Sequence, residues 1–163
     1  MHILVVNPGS TSTKVAVYER LVELLSTTLA HDVRELSRFP RVADQLQFRT
    51  QMVSECLRER EELRERELSA VVGRGGLLRP LPGGVYAVNE TMKEDLRSAR
   101  YGSHASNLGA LIADQLARER AIPAFIADPV VVDELDVLAR YTGLPDISRK
   151  SIFHALNHRA TAR

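Results

Sequence analysis

The stretch Ile3-Leu4-Val5-Val6-Asn7-Pro8-Gly9-Ser10-Thr11-Ser12-Thr13-Lys14 decides how this chain begins to fold. Residues 3–6 are β-branched or Leu, and Pro8-Gly9 interrupts them at once, so they read as a strand running into a tight turn. Residues 14–18, Lys-Val-Ala-Val-Tyr, alternate as a second strand, and residues 22–30, rich in Val, Leu and Thr, read as a third. Strands this close, joined by short turns, must be mostly antiparallel, because a parallel neighbour needs a long crossover. The first loop gathers a glycine and several hydroxyl side chains. Such a loop offers backbone N–H and O–H donors without bulk, which suits a phosphate, and it equally suits an ordinary polar turn. It is not a P-loop, since the G-x-x-x-x-G-K-[ST] spacing is absent and no helix follows.

Working outward, Val42 to about Glu67 carries a helical pattern, with Leu46, Val53, Cys56, Leu57 and Leu63 on one face. Its far end mixes signs, placing Arg58 and Glu62, and Glu62 and Arg66, one turn apart as a solvated, ion-paired end. Ala70-Val71-Val72-Gly73 is a short buried strand, and residues 77–88, with two prolines and Gly83-Gly84, form a loop or hairpin. Asn89 caps a helix through about Ala99, and Leu108, Leu111, Ile112 and Leu116 stripe a helix over about 105–119. Ala124-Phe125-Ile126-Ala127 is a strand ended by Asp128-Pro129. Residues 151–163 are expected to be helical, with Ile152, Phe153, Leu156 and Ala160 on one face. Strands alternating with helices imply a mixed α/β domain.

Composition narrows the classes. The 163 residues suffice for one buried domain. Lys and Arg number 22 against 21 Asp and Glu, which offers neither a basic face for nucleic acid nor an acidic tail. The single cysteine, Cys56, cannot form an intrachain disulfide and sits where a buried structural thiol is expected. No signal peptide is visible and no stretch reaches the ~20 apolar residues of a membrane helix, so a cytoplasmic protein is expected.

Three further sites carry potential chemistry. Arg74, between Gly73 and Gly75-Gly76 at a strand end, can reach a carboxylate bidentately with room left for the ligand; a plain exposed turn is the alternative. Asp128 lies just past a strand, where ligand groups commonly sit in α/β sheets, although Asp-Pro also begins turns, and Asp133 and Glu134 read as surface acids. His154 and His158, spaced i, i+4, would share a helical face. The H-E-x-x-H glutamate is missing, so donation to a transferring phosphoryl group suits one of them better than zinc does.

The order of these sites resembles one family. Residues 3–14 are similar to the opening of acetate and butyrate kinases, and Val72-Gly73-Arg74-Gly75-Gly76-Leu77-Leu78-Arg79-Pro80-Leu81 is similar to the butyrate kinases' short substrate-arginine segment. Gly83–Tyr86, Tyr101-Gly102-Ser103-His104-Ala105-Ser106-Asn107-Leu108, Asp128–Glu134 and Ser151–His158 continue the resemblance in order. It implies a ribonuclease H-like, actin-like α/β domain whose mixed sheet opens with antiparallel strands and is flanked by helices. Residues 1–163 would be the N-terminal carboxylate-kinase domain, without the C-terminal nucleotide-binding domain.

The implied reaction converts ATP and butanoate, or a similar short-chain acid such as propionate or isobutyrate, into ADP and an acyl phosphate with Mg²⁺. By the same resemblance Arg74 holds the carboxylate or acyl phosphate, with Gly75 and His104 at the substrate pocket. Asp128 orients substrate or metal, and His154 stabilises the transferring phosphoryl group. Asn7, Ser10, Ser12 and Lys14 line the phosphate region, with Asn7 and Asp128 acting indirectly on the metal. Family enzymes are homodimers through the second domain, so its loss puts dimerisation in doubt, and without that domain's ATP contacts and charged groups this chain alone is expected to be weakly active or inactive. Two other readings are a non-catalytic carboxylate- or acyl-phosphate-binding module and one subunit of a split kinase.

Overall fold

A computed structural model describes residues 1–63, 66–152 and 154–162. Strands β1 (His2–Pro8), β2 (Ser12–Glu19) and β3 (Val22–Ala30) form the expected antiparallel meander, with Asn7 opposite Lys14 and Pro8 opposite Thr13. A short helix α1 (Val33–Leu36), a 3-10 turn (Val42–Gln45) and helix α2 (Leu46–Arg58) then carry the chain to β4 (Leu68–Arg74), which lies parallel to β1. After β5 (Val85–Ala87), helices α3 (Glu90–Arg97) and α4 (Leu108–Arg118) lead to β6 (Ala124–Ala127), parallel to β4. The six strands run in the order β3-β2-β1-β4-β6-β5. Helix α5 (Ala155–Thr161) follows an irregular segment. The mixed sheet flanked by helices agrees with the sequence reading.

Strand alternation sorts side chains onto two faces. Leu4, Val6, Val15, Val17 and Val71 are buried, packed in one core with Val53 of α2 and with Leu108, Leu111, Ile112 and Leu116 of α4. The intervening residues, including Asn7, Lys14 and Arg74, therefore point to the other face. Helix α4 lies unusually close to β4. A Cβ added at Gly73 would sit 2.3 Å from the carbonyl carbon and oxygen of Gly109, and one at Gly109 would sit 2.7 Å from the Arg74 carbonyl oxygen. This pair of glycines lets the helix approach the strand backbone, and so fixes where β4 ends and Arg74 begins.

Four boundaries differ from expectation. The helix expected to reach Glu67 ends at Arg58, followed by a turn and a 3-10 stretch Glu61–Leu63; the Glu62 side chain, Arg64 and Glu65 lie outside the described residues, and Arg58 instead approaches Glu55 at 4.0 Å. The loop or hairpin expected over 77–88 contains β5, which pairs antiparallel not within that segment but with β6, through Tyr86 and Ile126. The helix expected from 105 begins as a 3-10 turn over Ala105–Asn107. The final helix starts at Ala155 rather than 151, because Ser151 is engaged elsewhere, its hydroxyl donating to the Val132 carbonyl at 2.5 Å. Ile152 is exposed and Ala155 buried; Phe153 and the Leu156 side chain, expected on the same face, lie outside the described residues. Among the described residues no helix is long and apolar enough to cross a membrane.

Candidate functional site

The parallel strands β1, β4 and β6 end together, and the candidate residues cluster at those ends. The β1–β4 ladder closes at Val6–Gly73 and the β4–β6 ladder at Arg74–Ala127. Asn7 and Arg74 thus leave their strands side by side, and Asp128 is the first residue beyond β6. Carboxyl ends of parallel strands are where open α/β sheets bind ligands. Asn7, Lys14 and Arg74 line one open groove of about 570 Å³ together with Val5, Ala16, Ser26 and Thr28.

Arg74 and Asp128 form a defined pair. A guanidinium N–H of Arg74 donates to Asp128 Oδ2 at 3.0 Å, with Asp128 more shielded than Arg74. His154 Nδ1 lies 3.3 Å from the same Oδ2 without the alignment of a hydrogen bond. Asp128 Oδ1 is buried without a hydrogen-bond partner, an open acceptor beside a cation. Asp128 holds φ at +48°, the left-handed region that Asp tolerates better than most residues. This turn lifts its carboxylate away from the strand direction and toward Arg74. The other Arg74 N–H groups meet no acceptor among the described residues, so the guanidinium is held at one edge and open at the other.

The remaining expectations divide. Gly75, buried at φ +89°, donates its N–H to the Ala127 carbonyl at 3.3 Å, and a Cβ there would lie 2.7 Å from Ser106 Cβ. This close approach is a second reason for glycine on that segment. His104 caps the turn 105–107: its Nδ1 accepts from the Ser106 N–H at 3.2 Å, which puts the proton of a neutral ring on Nε2. His104 is not among the residues lining the groove. Ser10 sits in the hairpin loop that follows β1 and Ser12 opens β2, and neither lines the groove itself. His154 and His158 do not share a helical face, because His154 occupies the N-cap of α5 with ψ at 76°. Among the described residues no group of three His, Cys, Asp or Glu could hold a metal ion.

One cluster has no counterpart in the sequence reading. Arg49 of α2 is fully buried and donates to the carbonyls of Gly9 (2.8 Å), Ser10 (3.0 Å) and Ser12 (3.0 Å) and to Gln45 Oε1 (2.9 Å). It also reaches Thr13 Oγ1 at 3.3 Å, and since Arg can only donate, the Thr13 hydroxyl is left to donate to His31 Nε2 at 2.8 Å. The His31 proton then sits on Nδ1, 3.2 Å from Met52 Sδ. Burial, and secondarily the Arg49 charge, push the His31 pKa down to about 4, and burial pushes Arg49 down to about 10. The signal in the sequence was a charged residue on the apolar stripe of α2, three positions after Leu46 and four before Val53.

Comparison with known proteins agrees with this architecture. No protein-family model matches the chain. The fold is that of acetate-type kinases: acetate kinase of Porphyromonas gingivalis superposes with a TM-score of 0.61 at 16% identity over 99% of this chain and 48% of that one, and a propionate kinase of Francisella tularensis with 0.55 at 15% identity over 98% and 43%. In sequence the chain is similar to butyrate kinases. It is 50% identical to butyrate kinase 1 of Clostridium acetobutylicum over 161 residues, and 53% identical over the same length to a probable butyrate kinase of Enterococcus faecalis. Each match takes in 99% of this chain and 45% or 44% of the relative, so the chain spans a little under half the length of these relatives.

Proposed function

We propose that this chain forms the carboxylate- and phosphate-handling half of a short-chain carboxylate kinase, which converts ATP and butanoate, or a close homologue, into ADP and an acyl phosphate. The observation that carries the reading is the convergence of Asn7, Lys14 and Arg74 on one groove that runs over the face of β1, β2 and β3, with Asp128 paired to Arg74. Arg74 would hold the substrate carboxylate with its unengaged N–H groups, and its ion pair to Asp128 would keep the fork oriented. A carboxylate is ionised at neutral pH, since carboxylic acids titrate near ~4, so the nucleophile needs no general base. Phosphoryl transfer depends on positioning and neutralised charge. Lys14 and the hairpin loop with Ser10 and Ser12 would meet the phosphate, and His154 beside Asp128 would face the transferring group.

The oxygens present suit a Mg²⁺ carried with the nucleotide better than a cage of protein ligands. Asp128 Oδ1 is buried and unpartnered, and Mg²⁺ commonly keeps its waters and takes one or two carboxylates. Asp128, with the Asn7 amide, would hold the ion or its water shell, and the ion when bound would neutralise charge on the phosphates. Residues 1–163 would work as one domain beside a nucleotide-binding domain, supplied by further chain or by a separate subunit. Alone they would retain little turnover, because losing one transition-state donor already costs about 10² in rate.

The test is butyrate-dependent ADP formation from Mg-ATP by the 163-residue chain, with and without the complementary part of a butyrate kinase, and with Arg74→Ala as control. Activity that appears on complementation and vanishes in the control supports the reading. Turnover by the chain alone at the rate of a full-length kinase overturns the division of labour. No activity in any combination, with butyrate still bound, favours a carboxylate-binding module instead.

A further inference from the structure

The buried Arg49 cluster is not explained by core packing. Its cation is fully shielded from water and meets only neutral acceptors among the described residues: the carbonyls of Gly9, Ser10 and Ser12, the Thr13 hydroxyl and Gln45. A buried charge without a counter-ion is costly, and core stability alone is served better by apolar residues of similar volume. The position of the cation gives it a use. In a trans peptide the N–H of one residue points opposite to the carbonyl before it. By drawing the Gly9 and Ser10 carbonyls inward, Arg49 turns the N–H groups of Ser10 and Thr11 outward. Among the described residues no acceptor takes either N–H, and both residues are exposed. Adjacent outward amides over a buried positive charge are unspent donors that suit an anion. The Gly9 N–H, by contrast, is spent on the Ser12 carbonyl at 2.7 Å.

We infer that Arg49 is a positioning residue of the phosphate loop: it sets the direction of the Ser10 and Thr11 amides, and its uncompensated charge contributes attraction for the anion they meet. This rests on the phosphate role proposed above for the hairpin. Gln45 belongs to the device, since it satisfies two guanidinium N–H groups, at 3.1 and 2.9 Å, without cancelling the charge.

Two variants separate geometry from charge. Arg49→Lys keeps the cation and removes the fork that spans the four acceptors of residues 9, 10, 12 and 13. Gln45→Glu keeps an acceptor of the same shape and places a carboxylate against the cation. The measurements are hydrogen exchange of the amides of residues 9–13, titration with inorganic phosphate, and titration with butyrate, all on the whole chain. Arg49→Lys should speed exchange of the Gly9 amide, which the loop holds to the Ser12 carbonyl, and weaken phosphate binding about tenfold, the equivalent of about 1.4 kcal/mol. Gln45→Glu should leave exchange unchanged yet weaken phosphate several-fold, on the order of threefold or more, by screening the charge. Both should leave butyrate affinity unaltered.

Phosphate affinity unchanged in Gln45→Glu overturns the electrostatic role. Exchange unchanged in Arg49→Lys overturns the positioning role. Equal loss of phosphate and butyrate binding in either variant reduces Arg49 to a general structural residue and overturns both. A wild-type chain that binds neither ligand refutes the functional reading itself, whereas wild-type binding of both with indifferent variants refutes only the role of Arg49.

Discussion

Replacing Gly73 by Ala should be among the most damaging one-carbon changes available to this chain. The added Cβ would lie 2.3 Å from the Gly109 carbonyl carbon, 2.3 Å from its oxygen and 2.8 Å from the Ala110 nitrogen. All three are backbone atoms of α4, so no side chain can rotate away. Ordinary contact begins near 3.4 Å, so strand and helix must part by roughly an ångström along their closest seam. Overpacking a well-packed core costs about 1–3 kcal/mol, and a clash with backbone alone belongs at the upper end. For a domain of this size about 3 kcal/mol corresponds to a fall in Tm of roughly 6–12 °C. The assay is thermal and urea unfolding of Gly73→Ala beside Gly143→Ala, whose Cβ would meet nothing within 4 Å. The control should stay within about 0.5 kcal/mol of wild type. A Gly73→Ala midpoint within 2 °C of wild type, roughly the shift that 1 kcal/mol gives, would refute the seam argument and with it the claim that α4 sets the position of Arg74.

Other predictions follow from single groups. His31 binds its proton more weakly when folded (pKa about 4) than its ordinary 6.5. Below pH 6.5 the unfolded chain therefore takes up more protons, and stability is complete above that pH and lost as pH falls toward 4. The loss should be on the order of 1–3 kcal/mol, measured by urea unfolding at stepped pH, and a His31→Gln chain should lack that slope. At Asp128, held at φ +48°, substitution by Asn should be more stable than substitution by Ala by about 1 kcal/mol, because Asn tolerates the left-handed region; equal melting of the two variants would contradict this. Asn89 Oδ1 accepts from the Met92 N–H at 2.9 Å as the cap of α3, so Asn89→Ala should cost about 1 kcal/mol by denaturant titration.

What could be read in advance followed local chemistry. Alternation in residues 14–18, the Pro8-Gly9 break and the Asn89 cap each act over a few residues, and the strands and α3 appear where those signals place them. Arg74 and Asp128 were legible one at a time as residues at strand ends; that they pair follows only from the β4–β6 register. The strand Val85–Ala87 was missed because three residues behind Gly83-Gly84 carry no periodicity, and its partner lies about forty residues away. Arg49 was missed because its acceptors are carbonyls, which any residue supplies, so its role depends on the hairpin turning back over α2. The i, i+4 histidines misled because the helical period does not extend to His154, where Ser151 and its carbonyl partner hold the chain out of the helix.

The central claim is that the groove lined by Asn7, Lys14 and Arg74 receives a short-chain acyl group through Arg74. Its most direct test is calorimetric titration of the 163-residue chain with butyrate and with butyryl phosphate, repeated on Arg74→Ala. Saturable binding of both, with the acyl phosphate tighter and each lost in the variant, is the predicted result. Absence of saturable binding, or binding that Arg74→Ala leaves intact, would contradict the account.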